Sequence, residues 1–160
     1  MMTPVSTKLT FLPLDPENAV HVQAWKQLMQ EYAMMPIVGR DTVFSEYELN
    51  QSLACLLELE TASSFMGWNH QEEPIVLINT IVSLSTWNTK RRLNIHDLVV
   101  NSRYQGQGFS EQAFDFLKGY AQELGCTQLS LEVEAINHHA LHVYKKQGFV
   151  GTCHFLTLTL

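Results

Sequence analysis

The chain has 160 residues, 46% of them hydrophobic, and a formal net charge of −6. That length and apolar content suit one domain with its own core and argue against a disordered chain. The acidic balance, with no run of Lys or Arg, lacks the electrostatic footprint of a nucleic-acid binder, and the longest nearly apolar stretch, residues 75–84, is too short to cross a bilayer and is broken by Asn79, Thr80 and Ser83.

In chain order, Met1-Met2-Thr3-Pro4 has no basic or apolar segment, so no signal peptide is expected. Residues 8–14 alternate enough to predict a first strand, closed by Pro13 and Pro16. Val22, Trp25, Leu28, Met29 and Tyr32 recur at helical spacing, and Pro36 and Gly39 end that helix. Ser45 followed three residues on by Glu48 is a capping box, opening a helix whose apolar face is Leu49, Leu53, Leu56 and Leu57. Residues 64–68 predict a strand, residues 69–74 a turn, and residues 75–86, rich in β-branched side chains, a buried strand. Residues 87–92 read as a hairpin connection and residues 93–100 as the next strand.

A glycine-bearing stretch follows. Beyond it, Ala113, Leu117, Tyr120, Ala121 and Leu124 line one helix face and Glu111, Asp115, Lys118 and Gln122 the other, with Gly125 placed to end the helix. Residues 128–133 alternate as a strand. Asn137 opens a short helix bearing Ala140, Leu141 and Tyr144, closed by Gly148, and residues 155–160 alternate as a final strand. The order predicts one α/β domain over residues 1–160 with a mixed sheet, without internal repeat or linker.

The stretch between strand and helix contains Gly106 and Gly108. A turn that feeds a helix N-terminus presents unpaired N–H groups and the positive end of the helix dipole, which is an anion site. The dinucleotide fingerprint needs a third Gly where Glu111 stands, and the Walker loop needs Gly-Lys-Ser/Thr, which is absent. On the glycine pair alone, a plain turn is favoured over a phosphate loop.

The surroundings decide between them. Asp97-Leu98-Val99-Val100, then Tyr104-Gln105-Gly106-Gln107-Gly108-Phe109-Ser110, then Asn137-His138-His139-Ala140 with Tyr144 and Gly148-Phe149, resembles the acetyl-CoA-binding half of the GNAT superfamily of N-acetyltransferases. The resemblance implies a single-domain GNAT-like fold, with a mixed, mostly antiparallel twisted sheet flanked by helices. It also implies an acetyl-CoA-binding half over about residues 93–150 and an acceptor-side half over about residues 1–90. The family loop fits in two registers, Arg103-x-x-Gly106-x-Gly108 and Gln105-x-x-Gly108-x-Ser110; the distance from Val100 favours the second, where Ser110 replaces the family's Gly or Ala.

The resemblance implies direct acetyl transfer from acetyl-CoA, as co-substrate, to an amine. Main-chain groups of the strand through Leu98, Val99 and Val100 would pair with the pantetheine amides, and amides of Gln105, Gly106, Gln107, Gly108, Phe109 and Ser110 would hold the pyrophosphate. Asn137 would bind the cofactor arm. Tyr144 matches the family's general acid, and a phenol can protonate a thiolate of similar basicity. The base is open between His96 and Asp97, which strict alternation places on opposite sheet faces, His96 sharing parity with Leu98 and Val100.

Other features read as structural. His138 and His142 stand four apart but have no supporting ligand at metal spacing, so no metal is expected. Trp25, Trp68 and Trp87 read as core or hairpin packing. Cys55, Cys126 and Cys153 form no Cys-x-x-Cys, which suits a reducing cytoplasm. The resemblance implies a small-molecule amine or a peptide as acceptor, and neither nucleic acid nor membrane is expected as partner. Asp41, Glu46 and Glu48 in the first half point mildly to a cationic one. A homodimer is common among similar proteins, though no residue here marks one. The runner-up reading is a catalytically inactive acyl-CoA-binding regulatory module, against which the intact Tyr144 speaks.

Overall fold

A computed structural model describes residues 8–38, 40–151 and 156–160. One five-stranded sheet runs in the order β1-β2-β3-β4-β5. Its strands are β1 (Thr10–Pro13), β2 (Ala62–Trp68), β3 (Pro74–Ser85), β4 (Lys90–Val100) and β5 (Cys126–Leu131). The first four pair antiparallel in sequence order, as hairpin-connected strands can. β4 and β5 are parallel, so the chain must cross over between them, and helix α3 (Phe109–Glu123) makes that crossing. The remaining helices are α1 (Ala19–Ala33), α2 (Glu46–Glu58) and α4 (His138–Lys146).

The core has two layers, one on each face of the sheet. Trp25, Leu28 and Met29 of α1 and Leu49 and Leu53 of α2 pack on Met66, Leu77 and Val99. Phe114 and Leu117 of α3 pack on Phe65, Ile78, Leu93 and Ile95. This double cover explains the unbroken apolar run at the start of β3. Val76 and Ile78 pack in the α3 layer and Leu77 in the α1 and α2 layer, yet all three are fully buried because both faces are roofed.

Strand and helix limits shift by a few residues from those the pattern predicts. β4 starts at Lys90, and β5 runs from Cys126 and stops at Leu131. Two expectations are corrected. Residues 156–160 have no regular structure, and Leu156, Leu158 and Leu160 are exposed, so alternation there does not make a strand; Phe155 lies outside the described residues. Trp87 is 94% exposed in the turn between β3 and β4, so it belongs to no core.

The capping box forms as expected. Glu48 N–H donates to Ser45 Oγ at 3.2 Å and Ser45 N–H donates to the Glu48 carboxylate at 2.7 Å. The Ser45 backbone N–H, then Arg40 and the Ser45 hydroxyl, hold the Glu48 carboxyl down to about 2 from an ordinary 4.5. A depressed carboxyl stabilises the fold above its unfolded value, and that contribution is lost as pH falls through about 2. Ser45→Ala is expected to cost about 1 kcal/mol at neutral pH. Urea unfolding of the two proteins at successively lower pH is expected to show that difference shrinking.

Candidate active site

β4 is the element on which the site is built. It pairs with β3 along its whole length, with one irregularity: Asn79 faces Asp97 and Thr80 faces Ile95, so His96 is an extra residue, a bulge. Pairing with β5 begins at Arg91 and stops at Ile95, opposite Leu131. From the bulge onward, β4 therefore has an edge with no neighbouring strand among the described residues.

Residues 98–100 lie on this edge. Leu98 and Val100 are half-buried against the α3 layer, while Val99 is fully buried against α1 and α2, so only its main chain can face a ligand. The Val100 carbonyl accepts from Gln105 Nε2 at 3.3 Å.

The loop after β4 is held by its first residue. Asn101 is 1% exposed. Its N–H donates to the Ile75 carbonyl at 2.8 Å, its Nδ2 to the Pro74 carbonyl at 3.3 Å, and its Oδ1 accepts from Arg103 N–H at 3.1 Å. Ser102 N–H donates to Glu31 of α1 at 2.9 Å. Tyr104 O–H donates to Glu73 in the β2–β3 turn at 2.5 Å, and this bond lowers the Glu73 carboxyl below its ordinary range and raises the Tyr104 phenol. Apart from the Asn101–Arg103 bond, the side-chain anchors have no local sequence signature, since their partners lie 27 to 71 residues away.

Gly106 and Gly108 adopt φ of +76° and +83°. A Cβ at either would meet nothing within 4 Å, so their requirement is the left-handed backbone and not crowding by the protein itself. Gly108 is the N-cap of α3 and offers no side-chain bond, which leaves the first-turn N–H groups without a side-chain cap. Ser110 lies in that turn, half-buried, while the Phe109 ring is buried in the core and anchors the turn. Gln107 Nε2 folds back onto the Arg103 carbonyl at 3.4 Å.

Tyr144 on α4 is half-buried. Phe114 lies edge-on to it at 5.9 Å and Phe149 tilts against it at 5.9 Å, and Phe149 N–H donates to the Tyr144 carbonyl at 3.0 Å. Burial raises the Tyr144 phenol above its ordinary value. Asn137 is the N-cap of α4, and its Oδ1 accepts from Ala140 N–H at 3.1 Å. That bond accounts for Asn at the start of α4, and leaves Nδ2 as the group with which Asn137 can reach a ligand.

The candidate bases part company. His96, the bulge residue, is exposed; Asp97 is half-buried, and Asn79 Nδ2 donates to its carboxylate at 2.9 Å. Strict alternation fails at this point: Leu93 and Ile95 before the bulge pack on the α3 layer, and so do Leu98 and Val100 after it. Tyr32 on α1 joins the group. Its phenol is raised by burial first, then by the Asp97 carboxylate and by Tyr144, so Tyr32 of α1 lies within electrostatic reach of Asp97 on β4 and of Tyr144 on α4. Tyr32 had read only as one apolar position of a helix face.

Two of the acidic residues noted for a cationic acceptor are already neutralised. Glu46 pairs with Lys26, and Glu48 pairs with Arg40 at 2.9 Å. Among the described residues no group of three or more His, Cys, Asp or Glu comes together to hold a metal, and no helix is long and apolar enough to cross a membrane.

The sequence model of the Acetyltransferase (GNAT) family matches residues 25–149. Streptothricin acetyltransferase of Streptomyces lavendulae is 37% identical over 68 residues, covering 42% of this chain and 35% of that protein. Thialysine N-epsilon-acetyltransferase of Bos taurus is 35% identical over 66 residues, covering 41% and 38%. The matched segments thus span little more than a third of these relatives. An aminoglycoside acetyltransferase from an uncultured soil metagenomic sample, solved with sisomicin, superposes with a TM-score of 0.76 at 15% identity, covering 96% of this chain and 97% of that one. A transcriptional regulator from Bacillus halodurans C-125 superposes at 0.78 with 15% identity, covering 95% and 99%. At such identities the likeness establishes the fold alone.

The buried phenols set an alkaline stability test. A phenol raised above its ordinary 10.0 keeps its proton in the folded chain after an unfolded chain has released it. Stability is therefore lost as pH rises from 10.0 through the folded value. Tyr144→Phe is expected to flatten this decline, measured by urea unfolding across the alkaline range.

Proposed function

The chain belongs to the GNAT acetyltransferase family, and from that membership we propose that it moves an acetyl group from acetyl-CoA to a primary amine by direct transfer. The observation that carries the reading is the adjacency of two donor sets at one end of β4. An unpaired strand edge runs straight into a glycine loop whose helix N-terminus has no side-chain cap.

Acetyl-CoA, bound there, supplies the thioester. The edge at residues 98–100 pairs with the pantetheine amides as a neighbouring strand would, with Gln105 yielding the Val100 carbonyl to the ligand. The N–H groups of residues 106–110 hold the pyrophosphate, favoured by the α3 dipole. Asn137 reaches the cofactor arm through Nδ2. Asp97, directly or through water, takes the proton of the acceptor ammonium; His96 is too exposed to control a proton in a closed site. Tyr144 gives its proton to the departing thiolate and, being buried, is fully protonated at neutral pH.

The acceptor is a small cationic amine. Streptothricin, thialysine and sisomicin are named with its relatives and its structural neighbour, and Asp97 offers a carboxylate to such a cation. Residues 1–90 form the acceptor side, to which α1 contributes Tyr32, and residues 93–150 the acetyl-CoA side.

Free-thiol release from acetyl-CoA over a panel of streptothricin, thialysine and sisomicin tests the reading, and turnover of none of them contradicts it. With a turned-over acceptor, Tyr144→Phe is expected to lower kcat by about 10²–10⁴-fold with CoA affinity retained. Gly108→Glu places a side chain and a negative charge at the pyrophosphate and strains a left-handed backbone. It is expected to abolish CoA binding in titration calorimetry while the chain stays folded.

A further inference from the structure

Asn79 is a polar residue in the most deeply buried part of β3, 2% exposed, next to fully buried Ile78 and Thr80. Burying an amide there is costly unless all its polar atoms find partners. They do. Its Oδ1 accepts from Trp25 Nε1 at 3.3 Å and from Ser64 Oγ at 2.7 Å. Its Nδ2 donates to the Asp97 carboxylate at 2.9 Å and lies 3.9 Å from Met29 Sδ.

The orientation of this amide is dictated. An indole N–H can only donate, so the atom facing Trp25 must be the oxygen, and the NH₂ is left to face Asp97. A carboxylate can only accept, which demands the same orientation from the other side. Three elements, α1, β2 and β3, thus fix one donor against one oxygen of Asp97. Among the described residues no hydrogen bond reaches the other oxygen, Asp97 Oδ1. The contact also falls at the first register pair after the bulge along β4, where β4 parts from β5. A purely space-filling role would call for an aliphatic side chain, as at Leu77 and Ile78.

We propose that Asn79 is a positioning residue for acetyl transfer: its amide, set by Trp25 and Ser64, holds one Asp97 oxygen so that the other is presented to the acceptor ammonium. This rests on Asp97 being the base.

A double-mutant cycle on kcat tests it, using free-thiol release with whichever amine of the panel is turned over. Asn79→Leu is expected to lower kcat by about 10- to 100-fold, the range of a hydrogen bond to a charged group. KM for acetyl-CoA stays within about twofold, since Asn79 touches no part of the CoA-binding loop. In an Asp97→Asn background, Asn79→Leu is expected to have no further effect on kcat. An equal fall in both backgrounds would mean that Asn79 only supports the fold, and would overturn the proposal. If Asn79→Leu does not fold, Ser64→Ala removes one donor with little loss of volume. It is expected to lower kcat by about threefold, one neutral hydrogen bond, only while Asp97 is present; an unchanged kcat, or the same fall with Asp97→Asn, overturns the proposal. Failure of the underlying reading looks different: Asp97→Asn by itself would leave turnover intact, or no amine would be turned over.

Discussion

The structure turns on a strand that loses one neighbour halfway along. β4 is held by β3 from end to end, but β5 leaves it at Ile95, where His96 bulges out of the ladder. Backbone N–H and C=O groups need partners, and an edge of a sheet is a template for another extended chain. Here the edge is not at the rim of the sheet. It opens inside, between two strands that remain paired lower down. The β3 partnership keeps the opened half of β4 straight and stationary, so its donors and acceptors stay aligned without a neighbour.

Topology then brings the rest of the site to the same place. A parallel β4–β5 pair requires a crossover, and α3 supplies it, starting one short loop after β4 ends. The open edge and the uncapped helix start are therefore consecutive along the chain. The loop between them is fixed from outside itself, by Asn101 to the start of β3, Ser102 to α1 and Tyr104 to the β2–β3 turn. A loop braced in this way loses little conformational freedom on binding a ligand. On the other side of β4, the bulge brings Asp97 against Asn79 and within reach of Tyr32, while α4 contributes Tyr144.

What the sequence discloses and what it hides divide by range. The capping box at Ser45 and Glu48, the glycine pair and the Asn137-to-Ala140 cap are short-range devices, and each is legible because both partners lie within a few residues. The bulge is not legible, because it exists only in the register between β3 and β4; without it, strict alternation misplaces the faces of β4. Asn79 and Tyr32 gain their meaning from contacts across the sheet, and one looks like a flaw in an apolar strand, the other like an ordinary helix position. The same limit misled at residues 156–160, where alternation has no partner strand among the described residues, and at Glu46 and Glu48, whose charges are taken up by Lys26 and Arg40.

The central claim is that the opened half of β4 and the loop after it are one continuous binding edge for CoA. Amide hydrogen exchange with and without saturating CoA tests it directly. The account predicts slowed exchange at the N–H groups of residues 98–100 that face away from β3 and at residues 106–110, with β1 (Thr10–Pro13) unchanged. Saturable CoA binding that protects other segments and leaves both of these untouched would contradict it.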